Sequence, residues 1–209
     1  LKSSFKNHNI AFHIEDSVSF PIKRHYLEQV NTIKSYIRQG HTYQVNYSVP
    51  FQFKYEGCLV DAYSCLREIS PAPYAGYLSM GPYCILSASP ELFIEVKDDD
   101  IVTKPIKGTS RRGSTIDEDN KLKKKLNEST KDHAELLMII DLERNDLNRI
   151  CKTNTVKVKK LREIETFQQV FHGVSTIKGT LKEGMTFKKI MEALFPGGSI
   201  TGAPKIRAM

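Results

Sequence analysis

Between Tyr74 and Ile106 the sequence passes through successive short runs of strand-forming residues with no helix-length stretch between them, and this constrains the fold more than any other feature. Tyr74 to Met80, Tyr83 to Ser87, Leu92 to Val96 and Ile101 to Ile106 are rich in β-branched and aromatic residues, and Gly81-Pro82 and Asp98-Asp-Asp100 punctuate them. Connections that short join antiparallel neighbours, so an antiparallel meander is expected. The last run ends in Lys107-Gly108, which predicts a primary amine at the tip of a strand, beside a residue that lets backbone approach a ligand closely.

Helical periodicity brackets this centre. Tyr26, Val30, Ile33 and Ile37 recur at helical spacing within Ile22 to Gln39, with Gly40 as the stop, and Cys58 to Ile69 reads as a second helix closed by Ser70-Pro-Ala-Pro73. Between them, Tyr43, Val45, Tyr47, Val49, Phe51 and Phe53 alternate with Gln44, Asn46, Ser48 and Gln52, which predicts a strand. Pro50 points to an edge or a bend. The Gln44/Asn46/Ser48 face is either solvated or an amide-lined pocket floor.

Downstream, Thr115 to Asn127 is a charged helix and Lys131 to Arg149 a second one, apolar nearly all round at its centre and so expected to be buried. Burial makes Glu135, Asp141, Arg144 and Asp146 conspicuous. Asp141 and Arg144 stand at pairing distance on a helix, whereas Glu135 has no basic residue four positions ahead and is a candidate metal ligand. Thr153 to Val158 and Thr166 to Ile177 read as strands, the second placing His172 on one face with Val174 and Thr176, and Thr186 to Leu194 reads as a short helix.

The stretch Phe195-Pro-Gly-Gly-Ser-Ile-Thr-Gly-Ala-Pro-Lys205 has phosphate-loop glycine spacing but Ala-Pro where a Walker loop requires Lys-Ser/Thr. What it keeps is the physics of an anion nest, with Pro204 opening a helix, and a carboxylate suits such a nest as well as a phosphate. That helix is cut off at Met209 and several strands are left unclosed, so further C-terminal sequence is expected.

Composition narrows the function classes. With 209 residues, 40% of them hydrophobic, the chain can bury a core as one large domain or two small ones. No run approaches the roughly 18 apolar residues of a membrane span, and Leu1-Lys-Ser-Ser-Phe5 carries no apolar signal core. The 4 cysteines, Cys58, Cys65, Cys84 and Cys151, include no Cys-x-x-Cys, which fits reduced thiols in a cytoplasmic protein. Much of the net charge of +7 lies in Lys121 and Lys123 to Lys125, a solvated helical patch, and a field of that sign also attracts a small dianion. A nucleic-acid module would interleave aromatics with Lys and Arg, but the aromatics of Tyr43 to Phe53 alternate with neutral residues, so no nucleic-acid partner is expected.

Taken together, Gly40-His-Thr-Tyr-Gln-Val-Asn46, Ser87-Ala-Ser-Pro-Glu-Leu-Phe93, Pro105-Ile-Lys-Gly-Thr109, Glu135 through Asn145-Asp-Leu147, His172-Gly-Val-Ser-Thr176 and Phe195 through Met209 resemble, in this order, the chorismate-binding enzymes. That family includes component I of anthranilate synthase and of aminodeoxychorismate synthase, isochorismate synthase and salicylate synthase. The resemblance implies an α+β fold of two packed, largely antiparallel β-sheets with helices outside, 1–209 forming part of one catalytic domain. It also implies chorismate as substrate, one Mg²⁺ with Glu135 as a ligand, and ammonia supplied from solution or by a glutamine amidotransferase subunit.

Within the family, water-adding members carry a lysine at the position of Gln44, so Gln44 resembles the ammonia-using branch. Anthranilate synthases typically have Ala at the position of Lys107. Lysine there is similar to aminodeoxychorismate synthase component I, which makes 4-amino-4-deoxychorismate for p-aminobenzoate and folate; anthranilate synthase component I is the alternative. The resemblance implies that Lys107 attacks ring C2 as the C4 hydroxyl leaves, that Glu91 protonates that hydroxyl, and that ammonia then attacks C4 and expels the lysine. An ordinary lysine amine is protonated at neutral pH, so the site must remove its proton. His172 is implied beside the substrate; Gln44, Asn46, Gly108, Thr109, Gly198, Ser199, Thr201 and Gly202 are implied in substrate binding. The second Mg²⁺ carboxylate and further carboxylate-binding groups lie beyond the point corresponding to Met209 in the family, so this chain alone is expected to bind Mg²⁺ and chorismate poorly and not to turn over.

Overall fold

A computed structural model describes residues 12–15, 19 and 22–209. Along the chain run β1 (Phe12–Ile14), α1 (Lys23–Arg38), β2 (Gln44–Val45), β3 (Tyr55–Gly57), α2 (Leu59–Ile69), β4 (Tyr74–Met80), β5 (Tyr83–Ser89), β6 (Leu92–Lys97), β7 (Asp100–Lys104), β8 (Ile106–Arg111), α3 (Ile116–Asn127), α4 (Thr130–Ile150), β9 (Lys157–Thr166), β10 (Val170–Thr180), α5 (Phe187–Leu194), a 3₁₀ turn at Gly198–Ile200, β11 (Gly202–Ala203) and α6 (Lys205–Ala208). Every strand pairing among the described residues is antiparallel, as the α+β class requires. The residues divide into two compact units, one of Ser48–Pro90 with the described part of Leu1–Leu27, the other of Glu28–Tyr47 with Glu91–Met209.

In the first unit β4 and β5 form a regular hairpin, Tyr74 opposite Ser89 through Met80 opposite Tyr83, and β1 pairs with β3. Helix α2 lies against the hairpin, where the rings of Tyr63 and Tyr77 meet at 5.8 Å.

The second unit is built on β10. Strands β7 and β8 are successive stretches of one line interrupted by Pro105, which has no N–H to donate; both pair with β10, and Ser175 N–H donates to the Pro105 carbonyl between them at 3.1 Å. Strand β6 continues the sheet beyond β7, and β9 flanks the other side of β10. Residues 171 to 175 of β10 are buried without interruption, which marks a central strand covered on both faces. Helix α4 packs on this sheet through Leu136, Ile140, Leu147 and Ile150, which join Ile101, Ile177, Leu181, Ile190 and Leu194 in one core, with Ile139 buried on the same helix. Helices α3, α4 and α5 each begin on a hydroxyl that accepts a backbone N–H, from Thr115, Ser129 and Thr186.

Several expectations are corrected. The alternating stretch Tyr43 to Phe53 pairs as a strand only at Gln44–Val45, against β11, with one isolated bridge from Gln52 to Ser19; Tyr43 and Phe51 are exposed, so alternation alone finds no sheet to bury its apolar side. The meander divides after β5: β4 and β5 make their own sheet, while β6 and β7 belong to the sheet of β10. The strand expected over Thr153 to Val158 instead runs Lys157–Thr166, a charged segment whose lysines and glutamates face outward along a sheet margin. The strand expected over Thr166 to Ile177 is β10, from Val170 to Thr180. Helix α4 is amphipathic instead of buried all round; Leu137 is 40% exposed.

Candidate active site

Lys107 does not end a strand. It is the second residue of β8, which continues to Arg111, and its position is set by a bulge: Thr109 pairs with His172 and Ile106 with Val174, so Lys107 and Gly108 together oppose the single residue Gly173. Gly108 adopts φ +86°, a region costly for residues with a side chain, and a Cβ there would meet the Cβ of Asp132 at 2.9 Å. A Cβ on Gly173 would lie 2.6 Å from the Lys107 carbonyl. Two glycines on adjacent strands thus permit the distortion that re-aims the lysine.

The amine reaches the loop that follows α5. Lys107 Nζ donates to the Ser199 carbonyl at 2.9 Å and to Ser199 Oγ at 3.0 Å, and Ser199 Oγ in turn donates to Glu91 Oε2 at 3.1 Å. Residues from three separate segments meet here: the start of the β6 segment, the β8 bulge and the 3₁₀ turn. Burial raises the Glu91 pKa above the ordinary carboxyl value, opposed by the Ser199 hydroxyl, the charge of Lys107 and the Ile106 backbone.

The loop itself is held from below by α4. Glu143 Oε1 accepts the Gly198 N–H at 3.0 Å, and Lys205 forms a buried ion pair with Asp146 while also donating to the Leu194 carbonyl at 3.2 Å. Burial, then the nearby Asp146 charge, pushes the Glu143 pKa up to about 7. The glycines are demanded by packing: a Cβ on Gly198 would strike Leu142 at 2.6 Å and one on Gly202 the Gln44 carbonyl at 2.3 Å. The anion nest read from the sequence therefore has one N–H already committed to a carboxylate of the protein itself.

Sequence reasoning passed over Glu143 and Lys205. The signal was there for Glu143, which falls three and four residues after Ile140 and Ile139 on the buried stripe of α4. Lys205 gave no such signal, since its burial depends on meeting Asp146 across 59 residues of chain.

The other candidates gather around these features. His172 is buried; its Nδ1 and the Thr109 hydroxyl are 2.9 Å apart, and the ring meets Phe167 edge-on at 5.3 Å. Desolvation lowers its pKa, opposed by the Glu165 charge and a hydrogen bond with the Gly108 backbone, so the imidazole is biased to its neutral form. On the far side of the loop, Asn46 N–H donates to the Thr201 carbonyl at 2.7 Å and its side-chain amide to the Ile200 carbonyl at 3.0 Å. The Thr201 hydroxyl turns back to the Gly197 and Gly198 carbonyls at 3.1 and 3.3 Å. Gln44 Oε1 is buried without a hydrogen-bond partner, a polar atom that a donor from outside the chain would satisfy.

Glu135 is placed on the second turn of α4. Lys131, one turn before it on α4, pairs with it at 3.8 Å, a neighbour the sequence reading had not counted, and its side chain is 38% exposed. As a hard-cation ligand it offers one carboxylate; among the described residues no group of three or more His, Cys, Asp or Glu is arranged to hold a metal. The 4 cysteines are all free thiols, and no described helix is long and apolar enough to cross a membrane.

Comparisons with known proteins identify the family. Residues 3–209 match the family model described as chorismate binding enzyme. Aminodeoxychorismate synthase component 1 of Escherichia coli K12 is 43% identical over 187 residues, covering 90% of this chain and 41% of that protein. Anthranilate synthase component 1 1 of Haloarcula marismortui is 41% identical over 184 residues, covering 88% of this chain and 38% of its own length. The crystal structure of anthranilate synthase component I from Streptococcus pneumoniae TIGR4 superposes with a TM-score of 0.81 at 36% identity, over 92% of this chain and 42% of that one. The chain thus spans about two fifths of the length of these relatives.

Proposed function

This chain belongs to the chorismate binding enzymes, and from that premise we propose that the whole protein aminates chorismate at C4 to give 4-amino-4-deoxychorismate, as aminodeoxychorismate synthase component I. The observation that carries the reading is the contact of Lys107, through Ser199, with Glu91: a nucleophile and an acid joined by one hydroxyl. Lys107 forms a bond to ring C2 while both ring double bonds shift, one to C1=C6 and the other to C4=C5, and the C4–O bond breaks, the hydroxyl departing as water protonated by Glu91. Ammonia then bonds to C4, the electron pairs shift back and the lysine leaves. The enolpyruvyl group is untouched throughout.

The protein's own groups supply the remaining functions. His172, held by Thr109 in a buried setting that favours neutral imidazole, positions or polarises the substrate. Gln44, Asn46 and Thr201 border the loop at Gly198 to Gly202, whose backbone receives a substrate carboxylate. Glu135 would provide one oxygen ligand to Mg²⁺, which when bound would supply positive charge to a substrate carboxylate. Ammonia comes from solution or from an amidotransferase subunit.

Anthranilate synthase is the second reading, because relatives bearing that name match at similar identity. The products separate the two. Incubating the intact enzyme with chorismate and ammonia is expected to yield a species that gives p-aminobenzoate only after a lyase is added, and chorismate without ammonia is expected to leave an adduct on Lys107 by mass spectrometry. Fluorescent anthranilate with release of pyruvate, or undiminished aminodeoxychorismate from Lys107→Ala, refutes the assignment.

A further inference from the structure

The proposed reaction needs two unusual states at once, an uncharged amine on Lys107 and a protonated carboxyl on Glu91, and one proton moved between them creates both. Ser199 Oγ stands on that path. An ammonium only donates and a carboxylate only accepts, so the hydroxyl lying 3.0 Å from Lys107 Nζ and 3.1 Å from Glu91 Oε2 accepts from the first and donates to the second. We propose that Ser199 is a proton relay that converts the Lys107 ammonium and Glu91 carboxylate into the neutral nucleophile and the neutral acid. This inference rests on the amination reading above and extends it from the reacting groups to how they are armed.

The step balances. Lys107 Nζ loses a proton to Ser199 Oγ as the hydroxyl passes its own proton to Glu91 Oε2; a positive and a negative charge become two neutral groups. The new hydroxyl proton then swings off the amine lone pair, which is left to attack C2, and the proton on Glu91 is the one the departing C4 oxygen takes.

Three features favour this path. Ser199 is buried, 9% exposed, so bulk water does not offer an easy alternative route. Its carbonyl accepts a second hydrogen bond from Lys107 Nζ at 2.9 Å, which fixes the amine's orientation toward the hydroxyl. The preceding residue is pinned by Glu143 through the Gly198 N–H, so the relay oxygen is carried on an anchored turn.

The experiment is rapid-quench mass spectrometry of the intact enzyme with chorismate and no ammonia, which reads the adduct on Lys107 directly, for wild type, Ser199→Ala and Ser199→Thr in H₂O and D₂O mixtures. Adduct formation is expected to slow by about 100-fold in Ser199→Ala, with half-saturating chorismate changed less than about 3-fold, and to return to within about 5-fold of wild type in Ser199→Thr, which keeps the hydroxyl. In wild type the rate is expected to fall along a curved line as deuterium content rises, because two protons move together. A straight line in wild type overturns the relay whether or not the variants fold, and so does an unchanged rate in Ser199→Ala or equal damage from Ala and Thr. Failure of the amination reading looks different: product forms in wild type with no adduct on Lys107.

Discussion

Glu143, on the buried face of α4, accepts the backbone N–H of Gly198 at 3.0 Å, so the residue before Ser199 hangs from a carboxyl whose own pKa is pushed up to about 7. A carboxyl raised in the folded state binds its proton more tightly there than in the unfolded chain. Stability from this group is therefore complete below the ordinary value of 4.5 and is lost as pH rises through about 7. The span amounts to roughly 3 kcal/mol at 1.36 per unit. Glu143→Gln, which keeps an acceptor for Gly198 and cannot ionise, is expected to flatten the dependence and to be the more stable form at pH 8, with little difference at pH 4; urea unfolding across this range checks it.

The Asp146–Lys205 pair closes the other end of the loop and is buried on both sides, 8% and 8% exposed. Removing one partner strands a charge in the core. Asp146→Ala or Lys205→Ala is expected to cost about 3–5 kcal/mol, whereas Asp146→Leu combined with Lys205→Met recovers most of it. A double-mutant cycle by denaturant unfolding measures the difference; additive losses would mean the pair is not coupled.

At the bulge, Gly108→Ala meets both a positive φ and Asp132, and Gly173→Ala meets the Lys107 carbonyl. Each is expected to destabilise by about 1–3 kcal/mol and to cut adduct formation on Lys107 by more than the folding loss explains. Gly184→Ala serves as the comparison: φ there is +70° but nothing lies within 4 Å, so it should cost about 1 kcal/mol and leave the lysine untouched. Thermal unfolding and adduct rates distinguish the three.

Among the described residues Glu135 shares a long, partly exposed contact with Lys131. Glu135→Gln is therefore expected to change stability by less than about 0.5 kcal/mol, while raising the Mg²⁺ concentration that half-activates the intact enzyme by about 10-fold or more. Titrating EDTA-stripped enzyme with Mg²⁺ checks this; unaltered Mg²⁺ dependence removes Glu135 from the ligand set.

Periodicity located the helices, because α4 and α5 each bury one stripe and α3, α4 and α5 begin on residues that announce it, Thr115, Ser129 and Thr186; α1 keeps the helical spacing but buries no residue, so its apolar positions did not give the packed face they predict. It failed where pairing is decided at a distance. Tyr43 to Phe53 alternates faithfully yet pairs only at Gln44–Val45, and β9 is a strand despite its lysines because β10 offers it a partner. Within the site, the types at Lys107, Glu91 and Ser199 were readable, but their connection through one hydroxyl was not, since 92 residues separate Lys107 from Ser199 and 108 separate Glu91 from it. The extra residue opposite Gly173 was equally invisible: a bulge is a property of two strands, and one sequence run records only its glycine.

Helix α4 carries Glu135 near its start and Glu143 two turns later, roughly 12 Å along one axis at 1.5 Å per residue. A straight, well-packed rod of that length does not stretch. The spacing between the Glu135 backbone and the Glu143 backbone is therefore set by the helix, and through the Gly198 N–H the turn that carries Ser199 takes its place from the same rod.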